Sequence, residues 1–231
     1  MMDLLPADTT LDERMRSASV ALLPIGSLEQ HGPHLPLTTD TVVAATLAAE
    51  IAAAYPVRRL PPVTISCSHE HAAWPGTVSI SATTLAAIVR DVAASVHRAG
   101  ITSLVLVNGH GGNYVLGNVV QEASLGPLRM VLFPGEPDWD AARAAAGLVT
   151  SGLSDMHAGE LETSILLHAH PHLVTAPLDD LDVLADDRRH LLSRGLQAYT
   201  DTGVVGRPSL ASARKGRDLL ASLVSSFADY L

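Results

Sequence analysis

Short runs of uninterrupted apolar residues alternate along this chain with longer stretches whose apolar positions recur at helical spacing. Val20–Ile25 reads as a buried strand stopping at Gly26, and Leu60–Cys67 as a second strand. Leu104–Val107 reads as a third, closed by Asn108-Gly109, and Met130–Phe133 as a fourth. Between them, Thr41–Tyr55 predicts an alanine-rich helix entered from Asp40, Ala82–Ala99 an amphipathic helix, and Tyr114–Ala123 a shorter one. Another helix starts at Glu160 and runs to His168, and Ala211–Leu231 predicts a last helix packed on the outside. Asp179–Thr202, polar and rich in Asp and Arg, predicts a surface excursion. Strands that are apolar throughout must be covered on both faces, so the pattern predicts an α/β fold with a mainly parallel sheet. No internal repeat, heptad pattern or low-complexity linker divides the 231 residues, and a single domain over 1–231 is expected.

Charge narrows the function classes. Lys and Arg total 15 against 24 Asp and Glu, a formal charge of −9, and the arginines are scattered. Nucleic-acid binding needs clustered cations, so it is excluded from the expectations. The first 17 residues carry Asp3, Asp8, Asp12 and Glu13 and lack the basic-then-apolar order of a secretory leader. The apolar segment 42–55 is interrupted by Glu50 and too short to span a bilayer. With one cysteine, Cys67, and hence no disulfide framework, a cytoplasmic protein without membrane attachment is expected.

Histidine changes the picture more. Nine of the 11 histidines stand at positions 31, 34, 69, 71, 110, 157, 168, 170 and 172, several among carboxylates just after apolar strands. Neutral imidazole is the commonest metal ligand. The segment from Gly26 to Asp40 (GSLEQHGPHLPLTTD) leaves the first strand at the edge where open α/β sheets place ligands. Glu29 and His31, two apart in extended chain, project to one side, and the glycine and prolines that follow allow Asp40 to return to the same place. Such mixed ligands suit Zn²⁺, Mn²⁺ or Fe²⁺ rather than Ca²⁺; the alternative is a polar loop with Asp40 as a helix cap. The third strand runs into Asn108-Gly109-His110-Gly111-Gly112-Asn113, presenting His110 at the same edge. Such a glycine loop also suits phosphate, but the P-loop lysine and the GxGxxG spacing are absent. In Asp155-Met156-His157-Ala158-Gly159-Glu160-Leu161-Glu162, two glutamates two apart on a helix must diverge, so one enters the site while the other stays at the first turn. His157, just before that helix, is placed to act as an acid or base.

These three segments resemble the creatininase family of amidohydrolases, whose members share a Glu-x-His…Asp pattern, an Asn-Gly-His loop and a His-Ala-Gly-Glu-x-Glu-Thr segment. The resemblance runs from about Val20 to His168. It implies a three-layer α/β/α sandwich, two divalent metal ions per chain (Zn, Mn or Fe) and a homo-oligomer, often a hexamer. By motif position it implies Glu29, Asp40 and His110 on one metal, His31, Asp40 and Glu162 on the other, Asp40 bridging, and His157 as the catalytic histidine at the rim. It also implies that Ser66–His71 lines the substrate pocket, with His69 as a contact beside Gly111, Gly112 and Asn113. Paired cations lower the pKa of a shared water to about 7, and a histidine supplies the proton that the departing amine needs.

One departure is informative. After the loop histidine, the creatininase pattern has a tyrosine and a glutamate where this chain has Gly111 and Gly112. An aromatic contact and a carboxylate are therefore missing, and an acyclic amide is expected in preference to creatinine. The His-Gly-Gly-Asn version resembles two branches of the family, a mycofactocin-type peptidase that trims a precursor peptide and a deformylase of a formylaminopyrimidine ribotide. The first is preferred, because no basic cluster awaits a phosphate. A creatinine or other lactam amidohydrolase and a non-enzymatic, metal-stabilised scaffold are the remaining readings. Cys67 beside two histidines suggests a thiol nucleophile, a role that the metals make unnecessary; Trp74 and Trp139 are expected as core or surface residues rather than pocket walls, and solvent-exposed roles for His168, His170 and His172 complete the expectations.

Overall fold

The computed structural model describes residues 4–175 and 177–231; Asp3, among the acidic N-terminal residues, lies outside them. Four parallel strands, β1 (Val20–Ile25), β2 (Arg58–Arg59), β3 (Ser103–Asn108) and β4 (Arg129–Phe133), form a sheet in the order β2-β1-β3-β4. β1 and β3 pair from Val20 opposite Ser103 to Ile25 opposite Asn108. Successive side chains of a strand point to opposite faces, and here both faces are apolar. Leu22, Val105, Val107 and Phe133 enter one core cluster, while Leu23, Ile25, Leu104 and Leu106 enter the other.

Helices close both clusters, giving the three-layer α/β/α sandwich. After a short capped helix α1 (Thr10–Arg16), α2 (Thr39–Ala54) crosses the first face. It is apolar nearly all round because it is covered twice, lying on β1 and beneath α6 (Glu160–Ala169) and α8 (Ala213–Ser226). On the second face, α3 (Ala82–Arg98) buries a stripe of Leu85, Val89, Ala93 and Val96, and α4 (Val115–Ala123) buries Leu116 and Val119. α5 (Glu136–Ala146) packs against α8, and α7 (Leu191–Arg194) is a single turn within a largely exposed excursion. Among the described residues, no helix is long and apolar enough to cross a membrane.

Three expectations need correction. The strand expected over Leu60–Cys67 is only Arg58–Arg59, followed by extended chain that touches β1 through Leu60, Val63 and Gly26. Pro61 and Pro62 have no N–H to donate, so the ladder breaks there. The last helix packs on the outside, against α2, α5 and α6, with Leu219, Leu220 and Leu223 buried, but it spans Ala213–Ser226 rather than Ala211–Leu231. His170 is buried rather than solvated, its Nε2 2.9 Å from Thr46 Oγ1; His168 and His172 are exposed as expected.

Candidate metal centre and active-site cleft

The first two signature segments meet where β1 and β3 end. Gly109, just past β3, sits where a Cβ would lie 2.4 Å from the Asp40 carbonyl oxygen. Its missing side chain lets the end of β3 close on the start of α2, and this sets His110 beside Asp40. His110 Nδ1 lies 3.0 Å from Asp40 Oδ2, and its Nε2 lies 3.2 Å from Glu29 Oε2 and 2.7 Å from the Cys67 carbonyl oxygen. His31 donates Nδ1–H to the Glu29 carbonyl (3.1 Å), so Nε2 is the atom it presents to Asp40 Oδ1 (3.0 Å) and Glu162 Oε1 (3.8 Å). A backbone carbonyl behind an imidazole is the usual way a ligating histidine is oriented. Ser27 Oγ donates to Asp40 Oδ2 (2.7 Å), the oxygen that also faces His110.

The third segment arrives from α6. Gly159 at its N-cap has no side chain to offer, and Asp155 instead accepts from the Glu160 and Leu161 N–H groups. Ala158 is left-handed, at φ 53°, a conformation that costs an L-residue roughly 1–2 kcal/mol. That strained peptide donates its N–H to Glu162 Oε2 (2.6 Å), aiming the carboxylate at His31. Glu160 diverges, as two positions apart on a helix require, and accepts from Val149, Thr150 and the Lys215 ammonium.

Possible ligand atoms of Glu29, Asp40 and His110 lie within 4.8 Å of one another, as do those of His31, Asp40 and Glu162, with Asp40 common to both groups. A third group, Glu29, His31 and His157, overlaps them. The electrostatics are those of a concentrated buried cluster. Burial, and then Asp40, raise the Glu29 pKa. Burial also favours neutral His31 and His110, but neighbouring carboxylates outweigh it and hold both well above the ordinary imidazole range. Burial opposes ionised Asp40 too, yet His31 and His110 draw it well below its usual value.

One observation decides whether a cation suits this set. Both carboxylate oxygens of Glu29 are buried and, among the described residues, have no hydrogen-bond partner. Buried polar groups are nearly always paired, and a buried carboxylate without donors needs a compensating positive charge. Carboxylate and imidazole donors together suit a borderline divalent metal. The residues fit a divalent-cation centre.

The cluster opens on a cleft of about 810 Å³ whose wall includes Asn108, His110, Tyr114, Trp139, Leu153 and Glu162. A second cleft of about 510 Å³, lined by His69, Glu70, Gly112, Tyr114 and Arg194, lies on the other side of the Gly111–Tyr114 loop. Gly111 lines the first cleft. Asn113 is buried and spends its side chain on Asn108 Oδ1 and the Cys67 N–H. His69 is exposed beside Ser79. Trp139 lines the first cleft, whereas Trp74 stands 6.3 Å from the His71 ring. The Cys67 thiol is buried, with its pKa pushed up by that burial, which is the wrong direction for a nucleophile.

His157 is not at a rim. It is 4% exposed, and its Nε2–H donates to the Gln30 carbonyl at 2.6 Å, leaving Nδ1 3.8 Å from Glu29 Oε1. Burial, and then His31, lower its pKa to about 4. An antiparallel bridge to Val205 holds its backbone. One participant escapes sequence reasoning. His71, buried, brings Nε2 to 3.3 Å from Glu29 Oε1, and its Nδ1 meets the Gln30 amide at 2.9 Å. The Ser66–His71 run signals this segment, but alternation in sequence does not tell which histidine of a tight turn faces inward.

The family model described as "Creatininase: Creatinine amidohydrolase" matches residues 7–231. The mycofactocin precursor peptide peptidase of Mycolicibacterium smegmatis is 35% identical over 227 residues, covering 91% of this chain and 83% of that protein. A solved structure of a putative creatinine amidohydrolase from Bacteroides fragilis superposes with a TM-score of 0.81 at 26% identity, covering 97% of this chain and 92% of the other. Another, entitled "Creatininase Mn", gives 0.78 at 23% identity over 99% and 97% of the two chains, a likeness of fold. The strand-edge cluster and the family match coincide, and the chain belongs to the creatininase family, hydrolases that act on carbon–nitrogen bonds.

Proposed function

We propose that this single-domain chain is a dinuclear metal-dependent amidohydrolase that cleaves a bond near the C-terminus of a precursor peptide, in the manner of a mycofactocin-type peptidase. The observation that carries the reading is the sharing of Asp40 between two adjacent three-residue groups, Glu29–Asp40–His110 and His31–Asp40–Glu162. The name and 35% identity of the mycobacterial relative support the peptide substrate. Zn²⁺, Mn²⁺ or Fe²⁺ fits the donors, and a cytoplasmic homo-oligomer, a hexamer by family resemblance, is the proposed form.

When bound, the cations supply Lewis-acid charge at the scissile carbonyl and acidify water at the same place. The remaining work belongs to side chains. With Nε2–H tied to Gln30, neutral His157 keeps its Nδ1 lone pair toward the cluster. It therefore accepts a proton as water attacks and returns it to the departing amine. Gly111 and Gly112 leave the loop without side chains, so an extended peptide runs along backbone groups between the two clefts. A scaffold role fits less well, since structural metal sites are closed and this cluster meets an open cleft through His110 and Glu162.

The test is a side-by-side steady-state assay of the metal-replete protein on creatinine, free-acid peptides and a formylaminopyrimidine ribotide. Peptide cleavage near the C-terminus, with little creatinine turnover, is expected. Creatinine hydrolysis within the ordinary kcat/KM range of roughly 10⁴–10⁸ M⁻¹s⁻¹ would overturn the substrate assignment.

A further inference from the structure

Beside the centre stands a carboxylate for which neither the sequence motifs nor the three close groups account. Glu70 lies in the one-turn 3₁₀ helix His69–His71, whose backbone is fixed by His71 N–H on the Ser68 carbonyl and Ser68 N–H on Ser79 Oγ. Its side chain is only 12% exposed. Among the described residues its carboxylate makes no hydrogen bond and no ion pair with a lysine or arginine; its one close ionic contact among them is His110, whose Nε2 is 3.7 Å from Glu70 Oε1. A carboxylate taken out of water in that way requires a positive partner.

The loop opposite has been cleared for it. A Cβ on Gly112 would lie 2.0 Å from Glu70 Oε1 and 2.4 Å from His110 Nε2, so any side chain there would occupy the space through which Glu70 reaches the cluster. The oxygens of Glu29, which accept no hydrogen bond among the described residues, lie in the same cluster, with Oε2 3.2 Å from the same His110 nitrogen.

We propose that Glu70 is a further carboxylate ligand of the centre, acting on the cation held by Glu29, Asp40 and His110; this rests on the dinuclear reading above. Glu70 stands outside the close groups, and among the described residues no hydrogen bond fixes its carboxylate there. The turn then delivers two consecutive side chains to one site, His71 to Glu29 and Glu70 to the cation beside it.

The experiment measures both Mn²⁺ dissociation constants by chelator competition, with elemental analysis, in the wild type, Glu70→Gln and Glu70→Asp. Glu70→Gln is expected to weaken one cation about 10- to 100-fold or more and leave the other within about threefold. Glu70→Asp, which keeps the charge on a shorter stem, weakens the same cation by less. In the Co²⁺-loaded protein, the visible absorption of one site alone changes. Two unchanged constants in Glu70→Gln overturn the proposal. Should that variant fail to fold, Glu70→Asp decides, and constants equal to those of the wild type overturn it. A wild type that binds fewer than two cations overturns the dinuclear reading itself, and this inference falls with it.

Discussion

Glu160 and Glu162 leave the same turn of α6 two residues apart and meet opposite fates. Glu160 is fully buried and saturated: Thr150 supplies N–H (3.0 Å) and Oγ–H (2.6 Å), Val149 an N–H (3.1 Å), and Lys215 an ammonium that also bonds the Leu210 carbonyl. Burial opposes its charge, but these donors outweigh it and lower its pKa. Glu162 keeps a single backbone donor, Ala158, and turns its other oxygen to His31. Similarly, among the described residues Glu29 accepts no hydrogen bond and meets only imidazole nitrogens, at 3.2 Å (His110), 3.3 Å (His71) and 3.8 Å (His157). In one region of the helix, charge is spent on holding the fold; in the other it is left in surplus, as a cation site requires.

The largest way to break this contrast is Asp40→Ala. Because Asp40 belongs to both ligand groups, we expect both cations to be lost and hydrolysis to fall by at least the ~10⁴-fold at the upper end of a single acid–base group's contribution. Elemental analysis of the purified variant is the check. Full retention of metal would show that Asp40 is not shared.

His157→Ala separates proton handling from cation holding. Its Nε2 is committed to Gln30, so the variant should keep its metals and turn over roughly 10²–10⁴-fold more slowly. Loss of a cation instead would make the Glu29–His31–His157 group a real ligand set and remove the acid–base role.

Much of this architecture is legible in the sequence, for identifiable reasons. β1 and β3 are readable because both faces of the sheet are covered and no polar residue interrupts them. The Glu29, His31 and Asp40 convergence is readable from extended alternation followed by a bend. β2 is not, because Pro61 and Pro62 cut an apolar run that otherwise looks like a strand. α1 buries none of its residues, and α5 buries only Ala142 and Ala146, so neither writes a strong apolar period. The burial of His157 and the inward turn of His71 depend on Val205 and Gln30, partners distant in sequence. Likewise, the carboxylate that the glycine loop lacks stands in space as Glu70, from a different segment.

Lys215→Met tests the saturated side. Removing one partner of a buried ion pair typically costs about 3–5 kcal/mol; the three donors that remain on Glu160 favour the lower end. Urea denaturation should show that loss while cation content is unchanged. A variant as stable as the wild type, or one that sheds metal, would erase the division of labour between the two glutamates.

Acidity gives a graded version of the same contrast. In the cation-free fold, His31 and His110 have pKa values held well above 6.5 by Asp40, Glu29 and Glu162, so they carry protons at neutral pH. Cation binding must displace those protons. Affinity should therefore rise with pH, and adding Mn²⁺ at about pH 7 should release protons into weakly buffered solution. The stability these raised pKa values give the cation-free fold is fully present below about 6.5 and is lost as pH rises through the folded values. Alkaline pH should thus weaken the cation-free protein while strengthening metal uptake. Uptake without proton release would show that the imidazoles were already neutral.

The smallest effect is expected at Cys67, where the contrast is between backbone and side chain. The site uses the Cys67 main chain: its carbonyl meets His110 Nε2 at 2.7 Å and its N–H donates to Asn113 Oδ1 at 3.2 Å. The thiol is buried and kept protonated by that burial, and no hydrogen bond to it is found among the described residues. Cys67→Ala preserves both main-chain contacts and removes one heavy atom from the second core cluster, which should cost about 1 kcal/mol of stability. Turnover and cation affinity should stay within about twofold of the wild type, and thiol-alkylating reagents should not inactivate the folded enzyme. If turnover instead dropped by about two orders of magnitude or more, the scale of a lost acid–base group, with both metals retained, the sulfur would have to take part in bond cleavage. The assignment of the chemistry to the carboxylate–imidazole cluster would then have to be abandoned.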